Sequence, residues 1–132
     1  MSKSAIYVSN TGAQAVAVDG TIGLGSIIRR FGCGVDLNGN GITIDEAGYY
    51  DIDVSVTAAP TAAGDVTVTM YNNGVAVPGV TATTTAAAAN DPINVSLTGI
   101  VRVFCGNIGS LSLVLTGTAA SVTNVATVVT RL

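Results

Sequence analysis

The sequence contains no histidine and no tryptophan, and charged residues make up only 10% of its 132 positions. Without histidine, the Ser–His and Cys–His pairs of nucleophilic catalysis cannot form. Asp51 and Asp53 are two residues apart in an alternating segment, which is typical of the solvated face of a strand. The two acids therefore do not indicate the enclosed carboxylate pair of a glycosidase. We expect a protein that is not an enzyme and that needs no cofactor.

Basic residues are also scarce, with five against eight acidic residues and a net charge of −3. Arg29-Arg30 is the only adjacent basic pair, so no basic stripe is available to neutralise phosphates or anionic lipids. No apolar run approaches the roughly 20 residues of a membrane-spanning helix. The opening residues 1–4 do not lead into the apolar region of a secretory signal. We expect neither a nucleic-acid partner nor membrane insertion.

The chain has only two cysteines, Cys33 and Cys105. Their spacing fits no zinc pattern, and no histidine is present to complete one. Two buried thiols are the first expectation, because free cysteine is among the most buried residue types. A disulfide, within one chain or between subunits, is the alternative.

Strand signals dominate the remaining sequence, and helix signals are nearly absent. Apolar and polar residues alternate with a period of two in residues 50–57, 66–71, 93–98 and 111–116. Asn73-Gly74 between two such runs is a strong hairpin signal. Closely spaced strands without intervening helices predict an all-β sandwich or barrel. The predicted core includes Tyr50, Ile52, Val54, Val56, Val66, Val68, Leu97, Leu111 and Leu113.

The best candidate for an ion site is the stretch 36–41, whose Asp36, Asn38 and Asn40 match the opening of a calcium-binding EF-hand loop. The twelfth position of that loop is Ala47, where the pattern requires a bidentate glutamate. The flanking residues also have strand patterns where an EF-hand has helices. These three residues therefore remain a weak candidate, and we expect a tight turn with no bound metal.

Two segments carry a resemblance to a known family. In residues 42–56 a short strand leads through the acidic turn Asp45-Glu46 to Gly48-Tyr49-Tyr50 and an alternating strand. This arrangement resembles the jelly rolls of complement globular heads and tumour-necrosis-factor-like proteins. The resemblance implies an all-β, antiparallel two-sheet jelly-roll sandwich, of about eight to ten strands. The hairpin Asn73–Gly79 is similar to the C-terminal domain of collagen-like spore exosporium glycoproteins and to stalkless phage structural proteins. The chain itself contains no Gly-X-Y repeat.

The resemblance implies a homotrimer, whose buried subunit contacts would explain how a chain with so few charges remains soluble. A surface rich in Thr, Ser, Asn and Gly is the other explanation. It places a single jelly-roll domain at residues 16–132 and leaves residues 1–15 as a possible attachment segment or intersubunit strand. The implied function is a structural knob on a particle, attached to a capsid or other particle-surface protein. A virion location is favoured. The alternatives are a spore or cell surface, or a module that binds a receptor or glycan.

Overall fold

A computed structural model describes residues 3–132 as two antiparallel β-sheets packed face to face. The first sheet has the strand order β3-β1-β11-β6-β9, with β2 beside β11, and the second has the order β4-β5-β10-β7-β8. The eleven strands of this range are β1 Ala5–Asn10, β2 Gln14–Val16, β3 Ser26–Phe31, β4 Val35–Asn38, β5 Gly41–Ile44, β6 Gly48–Pro60, β7 Gly64–Asn72, β8 Val75–Ala86, β9 Ile93–Val103, β10 Gly109–Gly117 and β11 Ala120–Arg131. Within residues 3–132, no helix is long and apolar enough to span a membrane.

The alternating pattern places one face of each central strand in the core between the sheets. In β6, Tyr50 and Ile52 are fully buried, whereas Asp53 points outward and is exposed. All nine residues predicted from the sequence to line the core are buried, which confirms the two-sheet sandwich. The eleven strands exceed the predicted eight to ten, in part because β2, with three residues, is too short to show a periodic pattern.

The hairpin predicted at Asn73-Gly74 joins β7 to β8. Asn73 has a φ of 53° and Gly74 a φ of 81°. Positive φ at both central residues is what a two-residue type I′ hairpin requires, and Asn-Gly is the pair that adopts it at least cost. This turn fixes the register of two long strands in the second sheet.

The predicted boundary at residue 16 is wrong, because Ala5–Asn10 forms β1 inside the first sheet. β1 pairs with β3 on one side and with β11 on the other, both in the same chain. Ile6 and Val8 are buried in the core, which is the physical reason that this segment joins the sandwich. It is therefore not an intersubunit strand. Residues 1 and 2 of the predicted segment lie outside the described residues.

The expectation of two buried thiols is also wrong, because Cys33 and Cys105 are both exposed and unbonded. Cys33 lies between Gly32 and Gly34 in the loop from β3 to β4. Cys105 precedes Gly106 in the loop from β9 to β10. Loops of this kind lie on the protein surface, where their backbone polar groups remain solvated.

Candidate interaction surfaces

The two ends of the sandwich are formed by different loops. At one end, here called the termini end, β1 begins and β11 finishes, since Ala5 pairs with both Phe31 and Thr130. The loops β3–β4, β5–β6, β7–β8 and β9–β10 lie at the same end. The side-chain amide of Asn73 donates to the carbonyl of Ile108 at 2.9 Å and so links the β7–β8 loop to the β9–β10 loop. The opposite end, here called the distal end, carries the loops β6–β7, β8–β9 and β10–β11.

Exposed apolar side chains are concentrated at the termini end. Ten large hydrophobic side chains are exposed among residues 3–132, and seven of them lie at this end: Phe31, Tyr49, Val75, Ile100, Phe104, Ile108 and Leu132. Scattered apolar residues are ordinary on a protein surface, but a group at one end indicates a contact surface. The distal loops, residues 61–63, 87–92 and 118–119, consist mainly of alanine and threonine.

Charge is distributed with the same asymmetry. All five basic residues lie in the half of the sandwich nearer the termini end: Lys3, Arg29, Arg30, Arg102 and Arg131. The charged residues around the distal end are all acidic, namely Asp19, Asp65 and Asp91. The other five acidic residues lie in the half nearer the termini end, where they balance the five basic residues: Asp36, Asp45, Glu46, Asp51 and Asp53. The molecule therefore has an apolar end whose formal charges balance and a distal end that is net acidic.

One basic residue is held in place by two aromatic rings. The Arg102 guanidinium lies 4.2 Å from the centre of the Phe104 ring and 5.4 Å from the centre of the Tyr49 ring. Both rings are more than half exposed. A cation over an aromatic face gains about 0.5–1 kcal/mol at such exposed sites. The sequence pattern did not predict this group, because Tyr49 and Arg102 belong to different strands and meet only through the β6–β9 register.

The acidic turn at the same end is a structural anchor. Arg131 donates from Nη1 to Glu46 Oε2 at 2.9 Å and from Nη2 to the Ala47 carbonyl at 2.7 Å. The Tyr50 hydroxyl donates to the Glu46 carbonyl at 2.8 Å. Burial raises the pKa of the Tyr50 phenol above its ordinary value. The Gly-x-Tyr motif thus ties the start of β6 to the end of β11.

The outward face of the second sheet is covered by hydroxyl groups. The hydroxyls of Thr67 and Thr83 are 2.7 Å apart, and those of Thr69 and Thr81 are 2.9 Å apart. Such cross-strand threonine pairs stabilise a sheet and remain compatible with water. This face accounts for part of the solubility that charges do not provide.

The outward face of the first sheet is different. Ala126 and Val128 of β11 lie beside Ser55 and Asp53 of β6, and together they border a shallow depression of about 330 Å³. Asp53 accepts a hydrogen bond from the Thr98 hydroxyl at 3.1 Å. The middle of this face is therefore formed by small side chains around a shallow depression.

In segments that are apolar at two successive positions, one residue is buried in the core and the other faces outward. Their buried members are Val101, Val103, Val125 and Val129, and their outward members are Ile100, Phe104, Ala126 and Val128. Val103 therefore belongs to the core of its own chain, whereas Val128 lies on the outward face.

The candidate ion-binding residues lie around the β4–β5 hairpin. Asp36 accepts hydrogen bonds from Arg30 Nη1 and from the Leu37 backbone N–H, each at 2.8 Å. Asn38 is the last residue of β4, and Asn40 lies in the turn that follows. Within the described part of the chain, no three His, Cys, Asp or Glu side chains converge as metal ligands would. The absence of a metal here stays a prediction.

No protein-family model matches the chain, and no curated protein sequence matches it. Solved structures are similar over almost the whole chain. Murine APRIL at pH 5.0 aligns with a TM-score of 0.71 and 11% identity, covering 99% of this chain and 100% of that one. The globular domain of zebrafish complement 1qA aligns with a TM-score of 0.68 and 8% identity, covering 97% and 94%. The PRD1 vertex protein P5 aligns with a TM-score of 0.60 and 16% identity, covering 97% and 95%.

These likenesses establish the fold. The chain is a jelly roll of the tumour-necrosis-factor-like and complement-globular-head type, which confirms the fold implied by the resemblance of residues 42–56.

Proposed function

We propose that this protein is a non-enzymatic structural protein that forms a homotrimeric knob on the surface of a particle. The particle is most specifically a virion, with the protein acting as a capsid decoration or fibre component. The observation that carries the proposal is the unlike character of the two ends. The termini end, with its exposed apolar side chains and all five basic residues, attaches to the particle. The distal end, with small side chains in its loops and only acidic charges, points into solvent.

The trimer follows from the unlike faces of the two sheets. The second sheet presents hydrogen-bonded threonines and faces water. The first sheet presents Ala126 and Val128 around a depression and faces the threefold axis. The occupant of this face is a second copy of the chain, because a molecule with only 10% charged residues requires more covered surface than one sandwich provides.

A cyclic trimer brings two different surfaces of each chain together. The flank formed by β8 and β9 is the second surface, where Val77, Pro78 and Ile100 border a depression of about 300 Å³. Packing this flank of one copy against the first-sheet face of the next covers both depressions. Obligate interfaces of this kind bury roughly 2,000 Å² or more.

Two alternatives remain distinct from the virion proposal. A spore or other bacterial surface is favoured by the Asn73–Gly79 hairpin, which resembles the exosporium glycoproteins. A receptor- or glycan-binding module is favoured by the exposed rings of Tyr49 and Phe104. We place the virion first because the PRD1 vertex protein P5 is among the solved structures that share this fold.

The trimer is tested by a charge on each sheet face. Val128→Lys places a cation on the first-sheet face beside Asp53, which can pair with it within one chain. Val114→Lys is the matched control, because Val114 is also a half-buried, outward-facing valine on an inner strand, but of the second sheet. Native mass spectrometry and light scattering should give trimers for the unmodified protein and the control, and loss of the trimer for Val128→Lys. A folded monomer of the unmodified protein at micromolar concentration would refute the trimer.

The attachment end is tested with particles. Proteomic mass spectrometry of purified virions or spores identifies the particle, and the protein is then added back to particles stripped of it. Ile108→Asp, at the termini end, should reduce rebinding by at least tenfold. Ala88→Asp, in the distal β8–β9 loop, should leave rebinding unchanged. Equal loss for both variants, or for neither, would contradict the proposed orientation.

A further inference from the structure

The two exposed thiols lie at the same end of the sandwich. Phe31, the last residue of β3, and Ile100 of β9 belong to one cross-strand row that runs through Ala5, Thr130 and Asp51. Cys33 is two residues beyond that row, and Cys105 is five residues beyond it. Both cysteines are therefore in loops of the termini end.

Their positions across the sheet prevent a bond within one chain. Cys33 follows β3 and Cys105 follows β9, which are the two outermost strands in the order β3-β1-β11-β6-β9. Four spacings of about 4.8 Å separate these strands by roughly 19 Å. A disulfide requires Cα atoms less than about 7 Å apart.

Both thiols are exposed at the surface of the chain. Next to Cys105, a Cβ added at Gly106 would meet nothing within 4 Å, so this side of the loop is open. Cys33 borders a recess of about 170 Å³ together with Arg30, Asp36 and Asp45. The Ser4 hydroxyl donates to the Cys33 carbonyl and fixes this loop to the start of β1.

We infer that Cys105 of one subunit forms a disulfide with Cys33 of the neighbouring copy, so that three bonds close the trimer covalently. The inference rests on the proposed trimer. Rotational symmetry places the termini ends of the three copies at the same height along the threefold axis. In the proposed trimer, the β9 flank of each copy packs against the next copy, on the sheet that carries β3. The exposed thiol on one flank thereby faces the exposed thiol on the other.

Each bond joins the two sulfur atoms and removes one proton and one electron from each thiol. The oxidant is a small-molecule disulfide such as oxidised glutathione, which is reduced to two thiols in the exchange. The thiols stay reduced in a reducing cell interior and become linked after the particle enters an oxidising medium. The linkage then prevents dissociation of the knob on dilution.

The test uses the full chain, purified with reductant and refolded as an equal mixture of ¹⁴N- and ¹⁵N-labelled protein. After treatment with oxidised glutathione, non-reducing denaturing electrophoresis should show linked dimers and trimers that dithiothreitol removes. Peptide mass spectrometry should show Cys33–Cys105 pairs of mixed label. Cys33→Ser and Cys105→Ser should each abolish linked trimers while light scattering still reports a trimer.

Three results would overturn the inference, and they are distinguishable from failure of the trimer. A light-scattering trimer that stays unlinked would refute the disulfide alone. Pairs of a single label only would indicate an intrachain bond, and symmetric Cys105–Cys105 pairs would indicate a different contact. A monomer by light scattering would refute the trimer, and the inference with it.

Discussion

Gly48 supports the acidic turn at a position where a side chain is excluded for two separate reasons. Its φ is 152°, a value that residues with a Cβ rarely adopt. A Cβ added there would lie 2.9 Å from Arg131 Nε. Arg131 cannot simply move away, because its guanidinium is bonded to Glu46 and to the Ala47 carbonyl. Gly48→Val should therefore destabilise the fold.

The expected loss is about 2 kcal/mol, since a residue held in an unfavourable backbone region costs of order 1–3 kcal/mol. Unfolding entropy of roughly 2.1 cal/mol/K per residue gives about 0.28 kcal/mol/K for 132 residues. The melting temperature should therefore fall by about 7 °C. Differential scanning calorimetry at fixed protomer concentration measures it, because the stability of an oligomer depends on concentration.

Two controls separate the backbone term from the contact with Arg131. Gly39 has a φ of 60° and open space around it, so Gly39→Val carries only the conformational cost. In an Arg131→Ala background, Gly48→Val should cost less than it does alone. An unchanged melting temperature for Gly48→Val would refute the reasoning, and equal losses for the two glycine variants would refute its steric part.

Three further predictions concern single groups. The Thr127 hydroxyl is fully buried and has no hydrogen-bond partner within the described residues, so Thr127→Val should raise the free energy of unfolding in urea by about 1 kcal/mol; a decrease would mean that the hydroxyl is satisfied. Burial raises the pKa of Tyr50 above 10.0, so the folded state retains the phenol proton, and the related stability is present below pH 10.0 and lost as pH rises further. Tyr50→Phe should show a shallower decline in melting temperature as the pH rises above 10.0, and an equal slope would contradict this. Because Asp36 is paired with Arg30, millimolar calcium should not change the melting temperature; a rise that Asp36→Ala abolishes would restore the ion site.

The core and the turns could be predicted because their signals are local. Alternation of side chains, as in Tyr50 and Ile52, depends only on the two-residue period of a strand. Asn73-Gly74 specifies a turn through the conformations open to two residues. The Gly-x-Tyr motif at residues 48–50 indicated the family resemblance, and the similar solved structures confirm the jelly-roll fold.

The strand neighbours and the two ends could not be predicted, because they depend on sheet order. Ile6 and Val8 alternate over too few residues for the pattern to indicate a central strand, and their partner β11 lies at the other end of the sequence. The burial of Cys33 was predicted from the average behaviour of cysteine, whereas the glycines on both sides determine its exposure. Arg102 meets Tyr49 only because β9 pairs with β6.

Sheet order also resolves the question of solubility that the low charge raises. The sequence leaves two explanations, a hydroxyl-rich surface and burial between subunits. The threonine pairs Thr67–Thr83 and Thr69–Thr81 all lie on the second sheet, whereas Ala126 and Val128 lie on the first. In the proposed trimer both explanations apply, each to one face. The molecule has one solvated face, one face suited to a second copy of the chain and one apolar end. Solvent, a neighbouring copy and a particle would therefore each contact a different side of it. That directionality is what a trimeric surface knob requires and what a freely soluble monomer does not.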